Sequence, residues 1–183
     1  MLTIRLEKSS DAAAREQLLD SAYGPVRFEK PSERLRFGRA PARGLSFVAV
    51  EDGRIVGTVR LWDVSAGPTC AALLLGPLAV DPAQRCRGIG AGLMRHSLRA
   101  AAKAGHRAVL LVGDPSYYSR FGFSGERTGA LWLPGLADKS RLLGRELIAD
   151  ALNGVRGAIR APKTPVRAPQ VAAIGRLAQP QAA

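Results

Sequence analysis

Val80-Asp81-Pro82-Ala83-Gln84-Arg85-Cys86-Arg87-Gly88-Ile89-Gly90-Ala91-Gly92 joins an apolar run, residues 71–80 (AALLLGPLAV), to an amphipathic stretch, residues 90–104. The run reads as a buried strand whose pairing is interrupted at Gly76-Pro77, because proline has no N–H to give to a ladder. The stretch reads as a helix with Leu93, Met94, Leu98, Ala101 and Ala102 on one face and Arg95, Arg99 and Lys103 on the other, stopped by Gly105. Free amides at a helix start, at the positive end of its dipole, form an anion site. Glycine lets a phosphate approach the backbone closely, and Arg85 and Arg87 add charge. The natural guest of such a loop is a pyrophosphate.

Three other readings compete for these residues. A nucleoside-triphosphate loop needs Lys-Ser/Thr after its last glycine, and Gly90 is followed by Ala91 and Gly92, which sets it aside. A dinucleotide fingerprint needs its glycines directly after the strand; here they come eight residues late, and Leu93 stands at the third glycine's place. Asp114, at the end of the next strand, keeps that reading open. A glycine-rich turn that binds nothing also stays open.

Outward from the loop, residues 3–6 read as a short strand. A helix capped at Ser9 or Ser10 runs to about Ala22, where Gly24-Pro25 stops it. Residues 26–43 are charged and irregular, a helical or looped excursion. Residues 45–50 and 55–61 flank Asp52-Gly53, a strong hairpin signal. Residues 108–112 read as a buried strand, 116–121 as a short helix capped by Asp114, 142–152 as a helix, and 131–133 and 155–159 as late strands. The whole is a mixed α/β domain.

The 183 residues suit one domain, and 46% of them are hydrophobic, which excludes general disorder. No apolar run approaches the roughly 20 residues of a membrane span, and residues 1–8 lack the apolar core of a secretory leader. Cys70 and Cys86, with only His96 and His106 beside them, suggest neither a disulfide framework nor a metal site. A cytoplasmic protein with reduced thiols is the expectation. The net charge of +12 raises nucleic acid as an alternative partner. Arg156, Arg160, Lys163, Arg167 and Arg176 lie in a final stretch with no acidic residue. Prolines at 162, 165, 169 and 180 deny that stretch a long helix, and a short one over 171–177 is the most it allows. The expected organisation is a domain over residues 1–159 and a flexible basic tail over 160–183.

Arg85-x-x-Gly88-x-Gly90, after a strand and before an amphipathic helix, resembles the acyl-CoA loop of the GCN5-related N-acetyltransferases (GNAT), Gln/Arg-x-x-Gly-x-Gly/Ala. About 30 residues on, Gly113-Asp114-Pro115-Ser116-Tyr117-Tyr118-Ser119-Arg120-Phe121-Gly122-Phe123 resembles the family's tyrosine, short helix and Gly-Phe, in the form of its YhbS-like group. The resemblance covers residues 1–160. It implies a GNAT-like fold, a central mixed sheet splayed between strands 4 and 5 and flanked by helices, with residues 71–80 and 108–112 as those strands. The pantetheine arm of acetyl-CoA would fill the splay, bonded by amides of Leu78 and Val80 beside Ala79. Its pyrophosphate would lie on Arg85, Cys86, Arg87, Gly88, Ile89, Gly90 and Ala91.

The implied reaction is direct attack of an amine on the thioester, with Tyr118 protonating the leaving thiolate. The acceptor would be a small molecule, a peptide or an aminoacyl-tRNA, and a homodimer is common in the family. Glu29, Glu33 and Asp63 are candidates for the base by position alone. The resemblance implies an acceptor site built from residues 26–43 and the segment after Phe123; Trp62 and Trp132 are candidates for its pocket or for core packing. Cys86 lies in the phosphate loop, too far from the thioester to carry an acyl group. His96 falls on the outer helix face. A tRNA-binding protein using its basic tail, or a silent acyl-CoA sensor, are the alternative functions.

Overall fold

In the computed structural model, which describes residues 1–162, β1 (Leu2–Leu6) pairs antiparallel with β2 (Ser46–Glu51). Asp52-Gly53, both at positive φ, turn β2 back onto β3 (Arg54–Ala66), as the hairpin signal predicts. β4 (Cys70–Val80) returns antiparallel along β3. β5 (Ala108–Val112) runs parallel to β4, and β7 (Leu142–Glu146) closes the order β1-β2-β3-β4-β5-β7. β6 (Leu131–Trp132) pairs with β8 (Gly157–Arg160), which also pairs with the far end of β3.

α1 (Ala12–Tyr23) covers one face of this sheet and α2 (Ile89–Lys103) the other. Ile89, Leu93, Met94, Leu98 and Ala101 of α2 are buried against Phe47, Val59, Leu61, Leu73, Leu75, Val109 and Leu111. Burial of each such large aliphatic side chain stabilises the fold by roughly 1.5–3 kcal/mol. Ala102, expected on that stripe, is exposed. His96, expected on the outer face, packs its ring edge-on against Phe47 at 4.6 Å. The helix ends in a Schellman turn, with Gly105 N–H on the Ala102 carbonyl and His106 N–H on that of Ala101.

Several expected details are corrected. Neither Ser9 nor Ser10 caps the first helix; both lie in a 3₁₀ turn (Ser9–Asp11), and Asp11 accepts from the Lys8 amide at 2.7 Å and from Arg5 at 2.6 Å. The hydrogen bonds from Arg5 hold the Asp11 carboxyl down at about 2. The helical or looped excursion expected over 26–43 is borne out: two 3₁₀ helices, Pro25–Glu29 and Pro31–Leu35, open it. The expected helix over 142–152 is β7 followed by turns. Gly144 sits under Leu152, whose Cδ1 lies 2.9 Å from where a glycine Cβ would stand, and β5 offers an edge to pair. Arg160, expected to open a tail, is the last residue of β8 and pairs with Ser65. The expected flexible segment from 163 to 183, with its short helix, lies outside the described residues. Among the described residues no helix is long and apolar enough to cross a membrane.

Candidate active site

β4 and β5 pair at two positions, Leu73 with Val109 and Leu74 with Leu110, and then diverge. Where they part, Gly76 and Pro77 together face the single residue Arg60 of β3, a bulge that bends β4. Trp62 fixes it by donating from Nε1 to the Gly76 carbonyl at 2.7 Å, a buried bond. Trp62 therefore holds the strand rather than lining an acceptor pocket. Trp132 is half exposed beside Pro68 and Ala158, away from the cleft.

Beyond the bulge, strand parity decides which amides face the gap. Asp81 N–H donates to the Val56 carbonyl at 2.9 Å, so Asp81, and Ala79 two residues before it, turn their amides toward β3. Leu78 and Val80 turn theirs the other way. The Leu78 carbonyl, on the same side as its N–H, accepts from the Tyr23 hydroxyl. Ala79 packs its methyl against Leu18 and Leu19 of α1.

At the open end of the gap the chain enters α2. Gly88, the residue before the helix, has φ +77°, where an L side chain is strained. The amides of residues 85–91 have no backbone or side-chain acceptor among the described residues. That row, at a helix start with no acidic residue in its first turn, has the donors and the dipole end that could hold an anion. Ile89 is buried and anchors the helix start in the core. Val80 Cγ2 and Tyr117 Oη each lie 3.5 Å from where a Cβ on Gly90 would stand, so the end of β4, the helix start and the tyrosine pair converge.

The two arginines differ. Arg87 is engaged by both Glu51 oxygens, at 2.7 and 2.9 Å, and by Gln84, which ties the loop to the β2–β3 hairpin. Arg85 is exposed with no carboxylate partner among the described residues; burial raises the Tyr23 pKa, and the charges of Arg36 and then Arg85 offset part of that rise. Cys86 is exposed at φ +63°.

Asp114 caps α3 (Pro115–Tyr118) through its carboxylate, which accepts from Ser116 N–H at 2.9 Å. The short helix aims Tyr118 into the gap. There a cavity of ≈ 90 Å³ is lined by Tyr23, Arg36, Leu75, Gly76, Leu78, Leu111, Val112 and Tyr118, with Lys30 and Glu33 in its wall. Burial above all, then the neighbouring Tyr23 and Tyr117, raises the Tyr118 pKa to about 12. The Tyr118 hydroxyl has no hydrogen-bond partner among the described residues, whereas that of Tyr23 is committed to Leu78. Its ring packs directly against Gly113: a Cβ there would stand 2.1 Å from Tyr118 Cε2.

Of the three carboxylates considered as a base, Glu33 lines the cavity, paired with Arg36 at 3.0 Å. Glu29 and Asp63 do not. Lys30 and Arg36 fall in the 26–43 stretch expected to help build the acceptor site, though no local signal singles them out, and Tyr23 lies just before it. Arg36 is 7% exposed, and its Nε has no partner. A buried polar group left so costs about 1–3 kcal/mol.

Comparison with known proteins meets this geometry. The acetyltransferase (GNAT) domain family matches residues 42–125. An uncharacterized N-acetyltransferase, YhbS of Escherichia coli strain K12, is 32% identical over 160 residues, 86% of this chain and 95% of the relative. The crystal structure of Escherichia coli YhbS in complex with CoA aligns at TM-score 0.75, covering 88% of this chain and 89% of that one. An acetyltransferase from Brucella melitensis in complex with acetyl-CoA is 29% identical, with TM-score 0.68 over 89% of this chain and 97% of that one.

Proposed function

The chain belongs to the GNAT family of N-acetyltransferases, and on that premise we propose that it transfers the acetyl group of acetyl-CoA directly to an amine, with Tyr118 as the general acid. The observation that carries the reading is the continuity of the gap. The unpartnered amides of residues 85–91 lead past Val80 and Leu78 to the Tyr118 hydroxyl.

The residues present fit acetyl-CoA. The 85–91 amides and Arg85 suit a pyrophosphate, and the Leu78 and Val80 amides suit a polar arm laid along β4 in place of a strand. Leu78 N–H, at the bulge, would donate to the thioester oxygen as charge develops there, the kind of preorganised stabilisation that weighs most in acyl transfer. The acceptor nitrogen forms its bond to the acetyl carbon as the carbon–sulfur bond breaks. The nitrogen's extra proton leaves to a base, and Tyr118 gives its proton to the departing thiolate. A phenol with a pKa of about 12 is fully protonated at neutral pH, as that role requires.

The arginine geometry makes a prediction. Arg85→Ala should weaken acetyl-CoA binding about fivefold, one phosphate contact being lost. Arg87→Ala should weaken it less, since that guanidinium is already held by Glu51. Calorimetric titration of both variants decides, and the reverse order would remove Arg85 from the phosphate site.

A further inference from the structure

Arg36 is the buried charge that the acetyl-transfer chemistry leaves unexplained. Its Nη2 is satisfied by Ser32 Oγ and Glu33 Oε2, both at 3.0 Å, while neither Nε nor Nη1 has an acceptor among the described residues. Nη1 lies 3.7 Å from where a Cβ on Gly76 would stand, so this unpaired nitrogen lies at the floor of the cavity, beside the bulge, while Nε is buried out of reach of solvent. Glu33 offsets one positive charge, yet Lys30 shares the cavity wall and Arg141 adds to the field on it; burial and these cations together lower the Lys30 pKa. A small, net cationic cavity with free guanidinium N–H groups is built for an anion.

We propose that Arg36 is the specificity-determining residue of the acceptor site and binds a carboxylate, so that the amine acetylated here is a free amino acid. The inference rests on the acetyl-transfer reading above and deepens it. An anion at Gly76 lies next to the place where the amine must attack, so anion and amine belong to one small molecule, separated by a carbon or two. The free Nη1 N–H groups suit a carboxylate oxygen, a charge-assisted contact. A peptide N-terminus or an aminoacyl ester presents a neutral carbonyl at this position, a weaker acceptor for Nη1 than a carboxylate.

The test measures CoA release from acetyl-CoA with a panel of free amino acids, their carboxamides and methyl esters, and the matching aminophosphonates. Acetyl-CoA binding is followed separately by calorimetry. The expected result is a kcat/KM at least about tenfold higher for an amino acid than for its carboxamide, the weight of one charge-assisted contact. Arg36→Met should bring that ratio near one, and Arg36→Lys should restore part of it. Arg36→Met should also melt at or above the wild-type temperature, because it removes a buried, incompletely paired charge. If Arg36→Met does not fold, Lys30→Gln, at the cavity wall, should still lower the ratio. Three outcomes overturn the inference: carboxamides accepted as well as acids, phosphonates preferred to carboxylates, or acetyl-CoA bound with no amino acid acetylated. Failure to bind acetyl-CoA at all overturns the acetyl-transfer reading instead.

Discussion

Tyr118→Phe is expected to lower kcat about 100-fold while leaving acetyl-CoA affinity within about twofold, since a general acid contributes in the transition state rather than in binding. The phenyl ring keeps its place against Gly113, Tyr117 and Phe123, so folding should be unaffected and the loss belongs to the hydroxyl. The pH profile adds an independent check. Burial raises the folded-state pKa to about 12, so the acid form persists well above neutrality. The wild-type rate should therefore show no fall from loss of this proton below about pH 11. A kcat for Tyr118→Phe equal to wild type at every pH would take Tyr118 out of the mechanism.

Gly113→Ala should produce a loss of similar size by a different route. The new methyl would stand 2.1 Å from Cε2 and 2.6 Å from Cδ2 of Tyr118, so the ring must leave its position. Overpacking of this kind costs about 1–3 kcal/mol of stability, which a thermal melt will register. Displacing the hydroxyl should cut kcat by at least tenfold, since an ångström of misplacement is enough for that. The double variant Gly113→Ala, Tyr118→Phe separates the causes. Once the hydroxyl is gone, moving the ring should change kcat little further, while the loss of stability remains. Additive losses in kcat would mean that Gly113 acts through something other than Tyr118.

Where local signals agree with tertiary context, the fold is legible in the residues. Asp52-Gly53 marks the hairpin, Gly105 the end of α2, and Gly76-Pro77 the bulge that opens β4 from β5. The helix expected over 142–152 is not formed, because residues 142–146 pair with β5 instead, and Gly144 is the signal against it. The open edge of β5 overrides the local sequence, and Leu152 and Thr128 need the space that a side chain at 144 would fill.

The loop proposed to take the phosphates is local, seven consecutive residues supplying its amides, and so it can be picked out in the sequence. The proposed acceptor side is legible only as a stretch, residues 26–43, and not as individual residues. Tyr23 closes α1 and reaches Leu78 across 55 positions of sequence, and Arg36 looks in sequence like any surface arginine. Its burial follows from two 3₁₀ helices folding over the gap, which no spacing in residues 25–36 announces. Arg87 shows another long-range effect that spacing hides: it sits in the 85–91 loop, yet its guanidinium is held by Glu51, a partner 36 residues away.

The central claim is that the gap between β4 and β5 binds acetyl-CoA and hands its acetyl group to an amine. Calorimetric titration of the full chain with acetyl-CoA tests it most directly. One site per chain is expected, with affinity weakened by Arg85→Ala and by Gly90→Val, whose side chain would crowd Val80 and Tyr117 at the helix start. No heat of binding at high micromolar acetyl-CoA, or binding indifferent to both substitutions, would contradict it.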